Sequence, residues 1–238
     1  MNQPIVQSTA GVTLVGGGPV PARDLKAALA RAPLAVAADS GADRLLAAGI
    51  LPQAVIGDFD SISAAARATL PAARLHPMED QDSTDFEKAL AAIGAPFVLA
   101  VGFSGARMDH GLAVMNALVR LQDRPCIVIG PKDIAFAAPP RLSIRLRPGD
   151  AFSLFPLAPV RGESQGLHWP LDGIAFAPDG MIATMPGPER SSRTSGAVTR
   201  FEVAILPRSR LDQAIQAIKA PPPAPPPHGP DVPAAHGG

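Results

Sequence analysis

The chain of 238 residues has no tyrosine, one tryptophan, one cysteine and no excess of either charge. Lys plus Arg and Asp plus Glu both number 21, and this balance argues against a broad nucleic-acid-binding surface. The lone cysteine, Cys126, excludes an internal disulfide and is typical of a reducing compartment. Because it lies in the apolar stretch C-I-V-I, we interpret it as a small buried core residue.

Long hydrophobic runs are also missing. No stretch of about 20 apolar residues exists, so the sequence predicts no membrane-spanning helix. The first ten residues, M-N-Q-P-I-V-Q-S-T-A, have no basic start and no apolar run, so no signal peptide is expected. The sequence therefore predicts a cytoplasmic protein that binds neither membrane nor nucleic acid.

Apolar strands alternate with helical periods in the first half of the chain. The pattern predicts strands at Val12–Val15, Leu34–Ala38, Ala54–Ile56, Phe97–Val101 and Cys126–Ile129. It predicts helices at Asp24–Arg31, Ala42–Ala48 with Gly49 as its C-terminal stop, Thr84–Ile93 with a Thr84/Glu87 capping box, and His110–Leu121 opened by Asp109. Such alternation favours an α/β domain with a mostly parallel sheet, placed at residues 1–131.

The second half has a different residue pattern, because short apolar segments are separated by Pro, Gly and Asp. Strands are expected at Ser143–Leu146, Phe152–Leu154, Ile174–Ala177 and Phe201–Ile205, followed by a helix at Leu211–Ile218. This pattern predicts a small antiparallel β domain at residues 132–219. Residues 220–238 are proline-rich, cannot bury a core and are expected to form a disordered or polyproline II tail.

Acidic residues follow several of the predicted strands. Asp39 ends one strand, Asp58 and Asp60 end the next in V-I-G-D-F-D-S, and Asp85 and Asp109 open helices. Because ligands bind beyond the carboxyl ends of parallel strands, we expect these side chains to meet at one edge of the sheet. Asp58 and Asp60 are two positions apart, and in an extended chain they point the same way.

Clustered carboxylates repel one another unless a cation lies between them. Hard oxygen ligands suit Mg²⁺, which shares substrate phosphates, and the loop Gly16–Gly18 offers backbone N–H groups to such phosphates. The pattern therefore predicts a magnesium and nucleotide site. Taken singly, Asp85 or Asp109 is better explained as a helix N-cap, and the combination of acidic residues is what favours a site. Asp58-Phe59-Asp60 also resembles the Asp-x-Asp of haloacid-dehalogenase-type phosphatases. Ser61 follows the motif here and the motif lies third in strand order, and both features disfavour that interpretation.

Five segments together resemble thiamine pyrophosphokinases. They are A-A-D-S-G-A-D-R-L-L-A-A-G-I-L-P (37–52), V-I-G-D-F-D-S-I (55–62), D-Q-D-S-T-D-F-E-K-A-L (80–90), G-F-S-G-A-R-M-D-H (102–110) and S-Q-G-L-H-W-P-L (164–171). The resemblance implies an α/β catalytic domain, a C-terminal β-sandwich that binds thiamine, and a homodimer with active sites between subunits. It implies transfer of diphosphate from ATP to thiamine, with Mg²⁺ as cofactor.

Residue roles follow from the same resemblance. It implies Asp58, Asp60 and Asp85 as metal ligands and catalytic carboxylates, with Asp109 catalytic or orienting the substrate. Nucleotide contacts are expected from Gly17, Gly18, Asp39, Ser40, Gly41, Ser61, Gln81, Thr84, Gly105, Arg107 and His110. Thiamine contacts are expected from Trp169, Ser191 and Ser192.

Three positions depart from the family pattern. The usual D-G-G of the family is Asp39-Ser40-Gly41 here. Ser192 replaces a usual Asn, and Arg193 lies where an acidic residue is common. Trp169 is the one indole, and an indole face suits the flat cationic thiazolium ring, although a core role is the alternative. The sequence therefore leaves open a diphosphokinase for another heterocyclic alcohol, or a non-catalytic thiamine or nucleotide sensor.

Overall fold

The computed structural model describes residues 3–78, 82–186, 192–198 and 202–219. The predicted proline-rich tail, and the predicted site residues Gln81 and Ser191, lie outside these ranges. No helix in the described ranges is both long enough and apolar enough to cross a membrane.

Strands occupy both halves of the chain. The first eight are β1 (Val6–Gln7), β2 (Val12–Val15), β3 (Leu34–Ala38), β4 (Ala54–Gly57), β5 (Leu75–Pro77), β6 (Ile93–Gly94), β7 (Val98–Val101) and β8 (Cys126–Ile129). The next eight are β9 (Asp133–Ala137), β10 (Arg141–Leu146), β11 (Ala151–Pro156), β12 (Val160–Gln165), β13 (Ala175–Phe176), β14 (Ala183–Pro186), β15 (Ser192–Val198) and β16 (Glu202–Pro207).

Helices are concentrated in the first half. They are α1 (Ala22–Leu29), α2 (Gly41–Ala47), α3 (Ala64–Thr69), α4 (Asp85–Ala91), α5 (Met108–Arg120) and α6 (Leu211–Lys219). The predicted caps are confirmed in part: Thr84 accepts a hydrogen bond from the Glu87 amide at the start of α4, and Gly49 follows α2 with φ +72°. The predicted start of α5 is wrong, because Arg107 is its N-cap and Asp109 lies inside the first turn.

One ten-stranded mixed sheet forms the centre of the fold, in the order β14-β11-β16-β9-β8-β7-β2-β3-β4-β5. The strands from β8 to β5 in this order are parallel, as predicted, and the remaining strands pair antiparallel. Every residue of β2, β4, β7 and β8 is buried, which is why these short apolar runs were recognisable as central strands covered on both faces.

A four-stranded antiparallel sheet, β10-β15-β12-β13, accompanies the large one. Its buried residues, including Ile144 and Val160, belong to the same hydrophobic cluster as Phe152 and Leu154 of the large sheet. The hydrogen-bonded ladder also runs without a break from β8 into β9. The division of the chain at residue 131 therefore stays a prediction, because the large sheet crosses that position.

Glu202 is a buried carboxyl on the core face of β16. It is 1% exposed, its Oε2 has no hydrogen-bond partner among the described residues, and it shares its face of the strand with the core residues Ala204 and Leu206. Burial raises the pKa of Glu202 from 4.5 to about 7. The folded protein therefore holds a proton there that the unfolded chain releases above pH 4.5.

We expect Glu202→Gln to flatten the pH dependence of stability between pH 5 and 8. In the wild type, the raised pKa makes the contribution of Glu202 most favourable below pH 4.5, and that contribution is lost as pH rises through 7. The loss is about 3 kcal/mol at most, which Gln avoids because it stays neutral. Denaturant unfolding at pH 5 and pH 8 measures this, with the exposed Glu163→Gln as the control. Equal changes in the free energy of unfolding between pH 5 and pH 8 in the wild type and Glu202→Gln would contradict the raised pKa of Glu202.

Candidate active site

An open cavity of about 450 Å³ lies at the carboxyl edge of the parallel strands, a size suited to a nucleotide-sized ligand. It is lined by residues that follow β2, β3, β4 and β7 and by the first turns of α4 and α5. Ten predicted site residues meet there: Gly17, Gly18, Asp39, Ser40, Asp58, Ser61, Thr84, Asp85, Arg107 and His110. The predicted gathering of these stretches at one sheet edge is therefore observed.

The Asp-Phe-Asp segment after β4 is a tight turn and not the extended chain expected from the spacing. Phe59 has a left-handed backbone, with φ +65°, and its ring is buried in the core. The Asp60 amide donates to Asp58 Oδ1 at 3.3 Å. The buried phenylalanine thus anchors the turn, while the turn itself holds the two carboxylates close together.

Three carboxylates form one group. Asp39, Asp58 and Asp60 each offer an oxygen within 4.8 Å of the other two. Asp39 ends β3 with φ +43°, an uncommon conformation for a residue other than glycine, and such strain tends to be kept at functional sites. The group therefore contains Asp39, which the sequence assigned to nucleotide contacts, beside the predicted ligands Asp58 and Asp60.

Asp85 joins this group from the first turn of α4. Burial, together with the negative charges of Asp58 and Asp39, raises the pKa of Asp85 above its ordinary value. Burial also raises the pKa of Asp39, helped by the charges of Asp60 and Asp58. One oxygen of each, Asp39 Oδ1 and Asp85 Oδ1, is buried and without a hydrogen-bond partner in the described structure. These orphaned oxygens and shared negative charge indicate a place prepared for a cation.

Lys88 is a cavity residue that the sequence reasoning missed. It lies one turn after Asp85 on α4, is 4% exposed, and places Nζ 3.5 Å from Asp58 Oδ2 and 3.8 Å from Asp85 Oδ1. A lysine on a short helix is ordinarily solvated, so its residue type alone did not predict a buried position in the cavity. Its position three residues after Asp85 was the one available signal, because residues three apart share a helix face.

The glycine loop after β2 reaches the cavity with little room for side chains. A Cβ on Gly17 would lie 2.2 Å from Ser40 Oγ, and one on Gly41 would lie 1.9 Å from the Val15 carbonyl oxygen. Gly41 is therefore a packing residue behind the loop and does not line the cavity. The amides of Gly16 and Gly18 donate to Val101 and Gly102, so these two N–H groups are engaged by the backbone.

Arg44, which was not predicted, helps to hold this loop from α2. Its guanidinium donates to the Gly17 carbonyl, with Nη2 at 3.0 Å. Asp43 beside it accepts hydrogen bonds from the backbone and side chain of Ser63, just beyond the Asp-Phe-Asp turn. These two neighbouring residues of α2 therefore position both loops that flank Asp39.

The start of α5 presents one face to the cavity and another to solvent. Arg107, His110 and Val114 line the cavity, whereas Asp109 does not. Arg107 forms two hydrogen bonds to the exposed Asp109, and these lower the pKa of Asp109 to about 2. In this arrangement Asp109 is an ionised partner that orients the Arg107 guanidinium.

An aromatic wall was also missed. Phe86 and Phe103 make an edge contact with ring centroids 4.8 Å apart, and both line the cavity. Phe86 lies within the predicted helix Thr84–Ile93 and was not predicted as a site residue. Its pairing with Phe103, from a loop after β7, depends on the tertiary fold and has no local signal.

The remaining predicted residues lie elsewhere. Gly105 does not line the cavity, and Trp169 follows β12, 53% exposed, with its ring in edge contact with His168. Ser192 begins β15. Of the predicted thiamine contacts, Trp169 is therefore not among the described residues that line the acidic cavity of its own chain.

Comparison with known proteins gives one consistent answer. Residues 25–129 match a family model described as thiamin pyrophosphokinase, catalytic domain. Thiamine pyrophosphokinase 1 of Oryza sativa subsp. japonica is 27% identical over 188 residues, which cover 65% of this chain and 71% of that protein. Thiamine pyrophosphokinase of Bacillus subtilis (strain 168) is 34% identical over 119 residues, and the match spans about half of each, 46% and 54%.

The fold is similar to solved structures as well. The thiamin pyrophosphokinase from Candida albicans superposes with a TM-score of 0.71 at 16% identity, covering 86% of this chain and 92% of that one. At this level of identity the likeness concerns the fold. Its coverage extends well beyond residues 25–129, so the β strands of the second half belong to the shared architecture.

Proposed function

We propose that the chain is a member of the thiamin pyrophosphokinase family and that it transfers diphosphate from ATP to thiamine, giving thiamine diphosphate and AMP. The observation that supports this most directly is the cavity itself, in which Asp39, Asp58 and Asp85 meet Arg107 at the carboxyl edge of a parallel sheet. Reactions of this type depend on positioning and charge neutralisation more than on covalent catalysis.

The acidic group fits a magnesium ion. Asp39, Asp58 and Asp60 offer only hard oxygen atoms in mutual reach, and the buried orphaned oxygens of Asp39 and Asp85 have capacity for a ligand. We propose that Asp58 and Asp60 hold Mg²⁺ together with Asp39 or Asp85. When bound there, the ion would neutralise negative charge on the ATP phosphates.

The protein's own residues supply the other parts of the mechanism. Arg107, oriented by Asp109, is placed to neutralise phosphate charge at the cavity wall. A proton acceptor for the thiamine hydroxyl is best sought among carboxyls with a raised pKa. Burial raises the pKa of both Asp39 and Asp85, whereas hydrogen bonding to Arg107 makes Asp109 a weak base. Asp109 as the acceptor stays a prediction.

We propose a homodimer in which the β-rich second half, a β-sandwich by family resemblance, brings Trp169 to the partner's cavity. Two features support this arrangement. Trp169 is exposed on its own chain, and the outer face of α5 beside the cavity exposes Met108 at 83% and Leu112 at 65%. Large apolar side chains in neighbouring exposed positions are typical of a protein interface. The enzyme would act in the cytoplasm.

A second candidate substrate is another heterocyclic alcohol. The stretch Ser191-Ser192-Arg193 differs from the family pattern of Ser-Asn and an acidic residue. This difference supports a substrate other than thiamine. The carboxylate cluster serves the same diphosphate transfer in either case.

Product analysis tests the proposal. We expect AMP release from ATP and Mg²⁺ in the presence of thiamine, in equal amounts with thiamine diphosphate, and none with a panel of other heterocyclic alcohols. AMP release with a different alcohol alone would establish the second candidate. No AMP with any acceptor, while thiamine still binds, would favour a sensor instead.

A further inference from the structure

Lys88 is a charged residue in a place where charge is costly. Its side chain is 3% exposed, and its ammonium group lies between carboxylates from two separate elements, Asp58 of the turn after β4 and Asp85 of α4. Within the described parts of the chain, the ion pairs that reach these two carboxylates both come from Lys88. A buried lysine persists only when its charge is paired.

We propose that Lys88 is a positioning residue that acts as a built-in cation for the acidic cavity. It holds Asp58 and Asp85 at a fixed separation and offsets part of their repulsion before any metal or nucleotide arrives. The inference rests on the proposed metal-dependent function for what the site does. The ion pairs of Lys88 that it describes are those of the protein without substrates.

Geometry supports a cation role over a packing role. Lys88 Nζ approaches both carboxylates at 3.5 and 3.8 Å, distances at which opposite charges attract although neither is a short hydrogen bond. Asp39 Oδ1 is buried without a hydrogen-bond partner in the described structure, and Asp85 Oδ1, although 3.8 Å from Nζ, accepts no hydrogen bond either. The lysine therefore neutralises the cluster without occupying all of its ligand atoms, which leaves oxygens available to a second cation.

The proposal predicts that Mg²⁺ can substitute for the missing ammonium. Lys88→Met keeps the length of the side chain and removes its charge. Without metal we expect the variant to melt roughly 5–10 °C below the wild type, because Asp58 and Asp85 lose their internal counter-charge. Added Mg²⁺ should restore most of that deficit and so raise the melting temperature of Lys88→Met more than that of the wild type.

The test is thermal unfolding of the full chain after removal of metal. The melting temperature is measured with and without Mg²⁺ at constant ionic strength. Lys88→Arg keeps the charge and should resemble the wild type in both conditions. Lys26→Met, at an exposed lysine on α1, controls for loss of a lysine in general. Neither thiamine nor ATP is present, so failure of the proposed reaction does not affect this result.

A double variant covers the case in which Lys88→Met is too unstable to measure. Lys88→Met with Asp85→Asn removes one positive and one negative charge together. If Lys88 serves as a cation, the double variant should melt above Lys88→Met, because the two changes compensate. A deficit that neither Mg²⁺ nor Asp85→Asn reduces would overturn the proposal and assign Lys88 to packing. Equal Mg²⁺ shifts in the wild type and Lys88→Met would also overturn it.

Discussion

Asp60→Asn is expected to lower turnover about a hundredfold or more while leaving the fold intact. The substitution removes one negative charge from the group Asp39, Asp58 and Asp60, whose oxygens lie within 4.8 Å of one another. Loss of one well-placed charge-stabilising group costs about this much in other active sites. Asp60 is exposed, and Asn keeps the oxygen that accepts from Ser61 Oγ, so local structure should survive.

The measurement combines steady-state kinetics with thermal unfolding. Turnover should fall steeply and recover little at high Mg²⁺, while the melting temperature in the absence of metal stays near that of the wild type. Asp179→Asn, at an exposed turn in the second half of the chain, is the matched control and should leave both quantities unchanged. Full activity of the wild type in excess EDTA, or more than half of normal turnover in Asp60→Asn, would contradict a metal role for this group.

The part of this site that could be predicted is the part set by strand ends. β2, β3, β4 and β7 are short, apolar and buried, so the sequence marks each of them and the polar residue that follows. Parallel pairing then brings those residues to one edge without further information. The sequence pattern therefore predicts that Asp39 and Asp58 meet at this edge, with Asp85 joining them from the start of a helix.

The details within the site depend on tertiary contacts that leave no local pattern. Phe59 has a left-handed backbone and a ring buried in the core, and this conformation replaces the expected extended segment with a tight turn. Lys88 is buried because two carboxylates from different elements surround it. Neither effect is visible from residue type and spacing alone.

The second half was harder to predict for a related reason. β12 has the sequence V-R-G-E-S-Q, of which Val160 alone is buried, so it has no apolar alternation. It becomes a strand because β15 and β13 pair with it. β9 was not predicted and β16 was predicted as Phe201–Ile205, and both strands extend the large sheet beyond the predicted boundary at residue 131.

Two impaired variants are expected to restore activity to each other if the site is shared between subunits. Trp169→Ala should weaken thiamine use about tenfold or more, because it removes a cation–π contact and buried area. In a heterodimer with Asp60→Asn, one of the two sites would combine the intact Asp60 of one chain with the intact Trp169 of the other. That dimer should have about half of wild-type activity.

Co-expression of the two variants with different affinity tags, followed by selection for both tags, isolates these heterodimers. The matched control pairs Asp60→Asn with a chain that carries both substitutions, and it should stay inactive because neither site is complete. A site contained within one chain predicts a different result, since every site in the first heterodimer would then be defective and activity would not exceed the mean of the parent variants. Recovery of no doubly tagged protein would refute the homodimer, and with it the reason for which an exposed Trp169 is assigned to thiamine.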